Sequence, residues 1–359
     1  MGWSIDSVQP TGVVVRLWQE RVALRLPLRP LLTLAVLLFV LGSVIALSLT
    51  IGSYGMSLAD VWRVLTGGDE QPQMSLVVWE FRFPRALVAA LVGAMFALSG
   101  SALQSVTRNG LADPSLVGIS QGAGLAVVML VVLWPDAVGA WRPWAALFGS
   151  LSIAALIQTL SWRREGNSSM RFILLGIGVA AFISAMTSAL MTYGEIDRAM
   201  SALAWLSGSV NAANWADVKL LSLWLALLLP ALLVLSRPMA AQQLGDATAL
   251  GLGVPLAWVR RGLIITAVAL AAIATAVVGP IAFVGLIAPH AVRRLAPAGV
   301  GLHLLLTAAL GAVLVALADL LGRALFAPVQ IPAGLVTSLI GVPLFLLLMY
   351  RTQARGGQA

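Results

Sequence analysis

Ten apolar runs follow one another from Leu31 to Tyr350, most of them about as long as a bilayer is thick, and they limit the chain to one kind of fold. A hydrocarbon core of about 30 Å takes about 20 residues of helix. Only helices or closed barrels satisfy every backbone hydrogen bond in lipid. The runs do not alternate in polarity, so they read as helices: Leu31 to Thr50, Ala86 to Val106, Leu116 to Leu133, Trp144 to Leu160, Phe172 to Met191, Leu220 to Leu235, Leu263 to Val278, Ile281 to Val292, Leu302 to Leu321 and Gly334 to Tyr350. The eighth is short for a full crossing, and Pro280 and Pro289 mark it as a broken helix lining a cavity. Charged residues make up only 10% of the chain against about 25% in soluble domains, so most of it lies in the bilayer. The fold class is an all-α membrane protein of about ten transmembrane helices.

An even number of spans puts both termini on one side, and the basic residues say which. With a cytoplasmic N-terminus, fifteen of the 22 basic residues and five of the 14 acids fall inside, leaving +10 there and −2 outside. That is the positive-inside bias. The expected organisation is a cytoplasmic N-terminal segment (1–30), one membrane domain (31–350) and a cytoplasmic tail (351–359). An amphipathic stretch around Val13 to Leu26 is expected to lie along the inner surface. Trp79, Trp134, Trp144, Trp162, Trp258 and Tyr350 fall near span ends, as interfacial rings do.

Several chemistries are excluded by what is missing. There is no cysteine, so no disulfide or thiolate site, and His290 and His303 are too few for an imidazole cluster. No metal is expected. Lys219, the only lysine, follows Val218, so no phosphate-binding Gly-Lys-Ser/Thr loop exists. Hydrolase motifs are absent too, and Asp319 is the one acid within a span, near its end, so an ion-coupled relay is lacking. The chain is expected to be no enzyme, and its energy source to lie on another subunit.

The stretch from Arg82 to Val128 joins two spans through a polar, glycine-punctuated elbow, which an anchor would not need. Gly93, Ala97 and Ser101 recur at spacing four and allow close helix crossing. Arg82 and Arg85 stand at an outer span end, against the charge trend. They read either as interfacial snorkelling or as an exposed basic knob for an acidic partner. Arg323 could join them, or Asp319 could neutralise it locally at i,i+4. Between spans six and seven, Arg237 to Pro255 reads as two short helices broken at glycines. Leu244, Leu250 and Leu252 give it an apolar face, suited either to a groove on another protein or to the lipid surface.

Taken together, these segments resemble the permease family of bacterial ABC importers for iron-siderophores, haem and vitamin B12, often called FecCD. The motifs are Arg82-Phe-Pro-Arg85, Gly93 to Gln104, Arg108-Asn-Gly-Leu-Ala-Asp-Pro-Ser-Leu-Val-Gly118, Trp205-Leu-Ser-Gly-Ser209, Leu244-Gly-Asp through Leu250-Gly-Leu-Gly253, Phe283-Val-Gly-Leu-Ile-Ala-Pro-His290, Ala318-Asp-Leu-Leu-Gly-Arg323 and Ile331-Pro-Ala-Gly-Leu-Val-Thr337. The resemblance implies a vitamin B12 importer-type fold, two permease subunits around a pathway, two cytoplasmic ATPases that carry ATP and magnesium, and one periplasmic binding protein. It implies that Arg82, Arg85 and Arg323 meet glutamates of the binding protein. It assigns a coupling loop (about 237–258) to the ATPase groove through Leu244, Gly245, Asp246, Leu250, Gly251, Leu252 and Gly253. It makes Asn109, Leu111, Ser168 and Ser169 the inner gate. Gly110 stands where the family usually has proline, and Met170 where the vitamin B12 relative has a small polar residue.

The expected function is therefore the transmembrane permease of an ATP-driven importer that moves a ferric siderophore from periplasm to cytoplasm. Met74 to Arg82 and Leu244 to Gly251 look most like the enterobactin-type branch, which implies a paralogous heterodimer partner. Haem or vitamin B12 within the family, and a passive channel outside it, are the alternatives.

Overall fold

A computed structural model describes residues 4–6, 13–17, 22–52, 54–68, 72–161, 168–326 and 329–356. Trp162, and with it Arg163 and Arg164, lies outside the described residues. Three strands, β1 (Ser4–Asp6), β2 (Val13–Leu17) and β3 (Val22–Leu26), pair antiparallel in sequence order. The segment expected to lie along the membrane surface holds the paired strands β2 and β3. Its run of valines favours extended backbone.

Helices follow: α1 (Leu28–Thr50), α2 (Leu58–Leu65), α3 (Pro72–Leu76), α4 (Phe83–Thr107), α5 (Ile119–Leu133), α6 (Val138–Ser161), α7 (Ser168–Tyr193), α8 (Ile196–Leu206), α9 (Trp215–Gln243), α10 (Asp246–Gly251), α11 (Leu256–Val278), α12 (Val284–Leu295), α13 (Val300–Ala324) and α14 (Ala333–Gly356). Each of the ten apolar runs is carried by one of them. Among the described residues seven helical stretches are long and apolar enough to cross a membrane, while α5 and the apolar part of α14 are shorter. Helix α12 has 12 residues, about 18 Å at 1.5 Å per residue, and starts inside the bundle.

α4 is the axis of the fold. It is buried almost throughout and packs most extensively on α13, with α11, α12 and α9 around it. Two glycine pairs set the spacing: a Cβ on Gly93 would run into the backbone of Gly311, and one on Gly100 into that of Gly285. Backbones approach this closely only where no side chain intervenes. Helices α3 and α4 are continuous through a π-helical turn, Val77–Arg82. Pro84 has no N–H for the next regular bond, and the Phe83 N–H reaches back five residues to the Val78 carbonyl.

Polar caps close the helix starts outside the apolar layer. Ser57 and Asp60 form a capping box on α2, and Asn214 and Asp217 form one on α9. The end of α1, the start of α4 and the end of α13 meet at one end of the bundle, through Arg82 and Arg323. The ends of α4 and α9 meet at the other, beside α10.

Candidate functional site

Three motifs that lie far apart in sequence converge in one junction. The Ser209 N–H donates to the Val278 carbonyl (2.7 Å) and the Gly334 N–H to the Gly208 carbonyl (2.9 Å), tying the end of α8 to the end of α11 and the start of α14. Gly208 and Gly279 take positive φ there, and a Cβ on either would strike a carbonyl oxygen of the facing segment. Next to it Phe283, with φ +69°, begins α12 in a conformation a bulky side chain rarely holds. That backbone sets the ring against Gly341 and 6.5 Å from Phe345. Strain of this kind persists only where packing on every side enforces it.

Below the junction lies a cavity of about 450 Å³, walled by α5, α8, α12 and α14. Its lining mixes Phe283, Phe345 and Leu335 with hydroxyl and amide groups of Ser115, Gln121 and Ser338. The loop from Arg108 to Gly118 re-enters the bundle to reach it. Asp113 and Pro114 descend to the level of Gly285 and Phe96, where Asp113 accepts from the Ser115 N–H (2.8 Å) and hydroxyl. The second oxygen of Asp113 faces the first turn of α12 without a full hydrogen bond. Leu286 N–H reaches toward it but donates to Phe283 O at 3.2 Å. The Gln121 Oε1 and Ser120 hydroxyl are also buried without a partner.

Arg82, Arg85 and Arg323 are brought together, but under the surface. They are 6%, 8% and 7% exposed, so the exposed knob and the snorkelling reading both give way to a buried clamp. Asp319, 2% exposed, accepts from Arg85 Nε (3.0 Å) and Nη2 (2.7 Å) and from Arg323 Nε (3.2 Å). Arg85 also donates to Asn211 (2.5 Å) and Gln330 (2.9 Å). Arg82 donates to the carbonyls of Leu49 (2.6 Å), Thr50 and Tyr54, and Arg323 to that of Ile51 (2.8 Å) and to Ser48 (2.5 Å). The guanidiniums thereby satisfy the last carbonyls of α1, which have no intrahelical partner. Asn211 and Gln330 were not singled out from the sequence, because nothing local distinguishes them from loop residues.

At the other end α9 runs on through Pro238 to Gln243, which corrects the expectation of two short helices. One short helix, α10, follows Gly245 at φ +107°. Leu244, Leu250 and Leu252 are each about three-fifths exposed, while Ala249 is buried. Asp246 holds the loop to the bundle through Arg260 (2.7 Å) and Arg108. Gly251 has open space around it, and Gly253 turns the chain at φ +77°. Asn109 is exposed and its Oδ1 accepts from the Leu111 N–H (2.9 Å), forming a tight turn. Ser168 and Ser169 open α7, but their side chains lie outside the described residues, as does that of Met170.

A bundle of apolar helices with a largely apolar cavity that carries a few hydroxyl and amide groups and is reached by a re-entrant loop is the architecture of a membrane transport permease. Residues 37–351 match the FecCD transport family, and the chain belongs to it. It is 40% identical over 317 residues to the achromobactin transport system permease protein CbrC of Dickeya dadantii, covering 88% of this chain and 90% of that one. It is 37% identical over 306 residues to the ferric enterobactin transport system permease protein FepG of Escherichia coli, covering 85% and 91%. Among solved structures it resembles an inward-facing metal-chelate type ABC transporter, with TM-score 0.78, 29% identity and coverage of 89% and 98%.

Proposed function

We propose that this chain is the permease subunit of an ATP-driven importer that carries a ferric siderophore from periplasm to cytoplasm. The observation that supports it most is membership of the FecCD family over residues 37–351, alongside relatives named for achromobactin and ferric enterobactin transport. The lining of the cavity suits such a cargo. Hydroxyl, amide and aromatic groups give weak, adaptable contacts to a bulky oxygen-rich chelate, and such contacts release it as readily as they bind it. In this reading the α10 end is cytoplasmic, and both termini with it.

The exposed leucines of α10 and its flanks dock in an ATPase groove, and ATP with magnesium is bound there and not on this chain. Asn109 and Leu111, with Ser168 and Ser169, close the inner gate. A second permease, paralogous to this one, completes the pathway. The arginine clamp, with Arg85 and Arg323 on the Asp319 carboxylate and Arg82 on the last carbonyls of α1, leaves a local excess of positive charge at the outer end that attracts acidic residues of a periplasmic binding protein. Direct contact would require those residues to compete with Asp319.

The test is reconstitution of the co-purified complex in proteoliposomes with binding protein and radiolabelled ferric chelates. Nucleotide-dependent uptake of a ferric siderophore is expected. Flux without nucleotide, or a complex lacking an ATPase, would overturn the proposal.

A further inference from the structure

A second cavity, of about 670 Å³, opens at the α10 end between α4, α9, α12 and α13, away from the pathway cavity. Its chemistry is unlike the first. Arg108, Arg293, His290 and His303 line it, and among the described residues no carboxylate does. Arg108 is neutralised by Asp246, which Arg260 also shares. Arg293 has no acidic partner among the described residues; its guanidinium donates to the Gln104 amide oxygen (2.6 Å).

Gln104 is committed on its other side, its Nε2 donating to the carbonyls of Ala112 (3.3 Å) and Gly285 (3.2 Å), so Arg293 stays in place. Gln242, 3% exposed, lines the cavity with an amide nitrogen that has no hydrogen-bond partner. His290 Nε2 and the Ser105 hydroxyl are likewise buried and unpartnered there. Buried donors without acceptors are costly, and Arg293, which is exposed, presents its guanidinium at the open side of the cavity.

We propose that this cavity is a binding site for a phosphate-type anion. Arg293 would grip it with the guanidinium fork that suits phosphate oxygens, and Gln242 Nε2 and the histidines would supply the remaining donors. The site lies where α4, α9 and α12 end and α13 begins, at the depth of lipid headgroups in the orientation proposed above. An anionic phospholipid headgroup and a soluble phosphate share this chemistry. Because Arg108 joins the cavity to Asp246, the first residue of α10, an anion here would also brace the segment proposed to contact the ATPase.

The experiment uses the full chain purified with its partner subunits in an uncharged detergent, with thermal unfolding and native mass spectrometry as readouts. The probes are phosphatidylglycerol, phosphatidylcholine and inorganic phosphate. A saturable rise in Tm with phosphatidylglycerol but not phosphatidylcholine, with retained lipid in the mass spectrum, supports the site with a lipid headgroup in it. A comparable rise with inorganic phosphate alone supports it with a soluble ligand.

Arg293→Gln should weaken the midpoint concentration by about tenfold or more, as expected for loss of charge-assisted hydrogen bonds. Arg294→Gln, outside the cavity lining, should not. His290→Gln serves as the second variant if Arg293→Gln does not fold. No shift with any probe, or an equal loss in Arg294→Gln, overturns the proposal. None of these outcomes depends on transport, so the test stands apart from the importer reading.

Discussion

Replacing Asp319 by asparagine removes one charge and almost no volume, at a carboxylate that two buried guanidiniums share. Arg85 reaches it through both Nε and Nη2, at 3.0 and 2.7 Å, and Arg323 through Nε at 3.2 Å. With an effective dielectric of about 20, unit charges 4 Å apart attract by about 4 kcal/mol. Breaking a buried pair from one side costs about 3–5 kcal/mol, since the remaining charge stays desolvated. Here Arg85 keeps Asn211 and Gln330, Arg323 keeps Ser48 and the Ile51 carbonyl, and the asparagine oxygen still accepts. The lower figure, about 3 kcal/mol, is therefore expected, roughly a hundredfold in the folding equilibrium. Reversible unfolding in mixed micelles, followed by tryptophan fluorescence, measures it. Adding Arg323→Met to Asp319→Asn removes one stranded cation and should recover about 1 kcal/mol or more of the loss. A single variant within about 0.5 kcal/mol of the parent, or a double variant showing the plain sum of both losses, would refute the clamp as a structural element.

Four further outcomes follow from the same geometry. Gly100→Ala drives a Cβ into the Gly285 backbone and should abolish stable assembly of α4 on α12, whereas Gly42→Ala, with open space around it, should leave the yield of folded protein unchanged in detergent chromatography. Gly251→Arg meets no neighbour, so Tm should be unchanged while substrate-stimulated ATPase activity of the complex is lost; normal stimulation would count against α10 as the coupling element. Arg85→Glu sets a second acid against Asp319 and should unfold the chain instead of merely blocking a partner, as judged by expression and size-exclusion profile. Asp113→Ala removes the oxygen that accepts from both the Ser115 N–H and its hydroxyl and should lower Tm by an amount corresponding to about 1–3 kcal/mol; a variant that unfolds with the parent would remove Asp113 as the brace of the re-entrant loop.

The difference between what the sequence disclosed and what it hid follows the range of the physics involved. Lipid imposes its thickness locally, so each apolar run announced its own helix, and the shortness of α12 was readable from Pro280 before it, although Pro289 lies within the helix and does not end it. The leucines at 244, 250 and 252 were readable as an exposed apolar face because no span continues through them. The arginines were conspicuous as charges against the orientation trend, yet their burial was not. It depends on the last carbonyls of α1 and on Asn211 and Gln330 arriving at the same point, from 28 to 275 residues away. The i,i+4 spacing disclosed the Arg323 contact with Asp319, but not the stronger claim of Arg85 on the same carboxylate. Arg293 and Gln104 were silent for the same reason: the pair joins α12 to α4 across 189 residues. A glutamine inside an apolar helix is the one local sign of it, since an amide retained at that depth needs partners on both sides, and its oxygen holds a cation in the very cavity where no acid balances it.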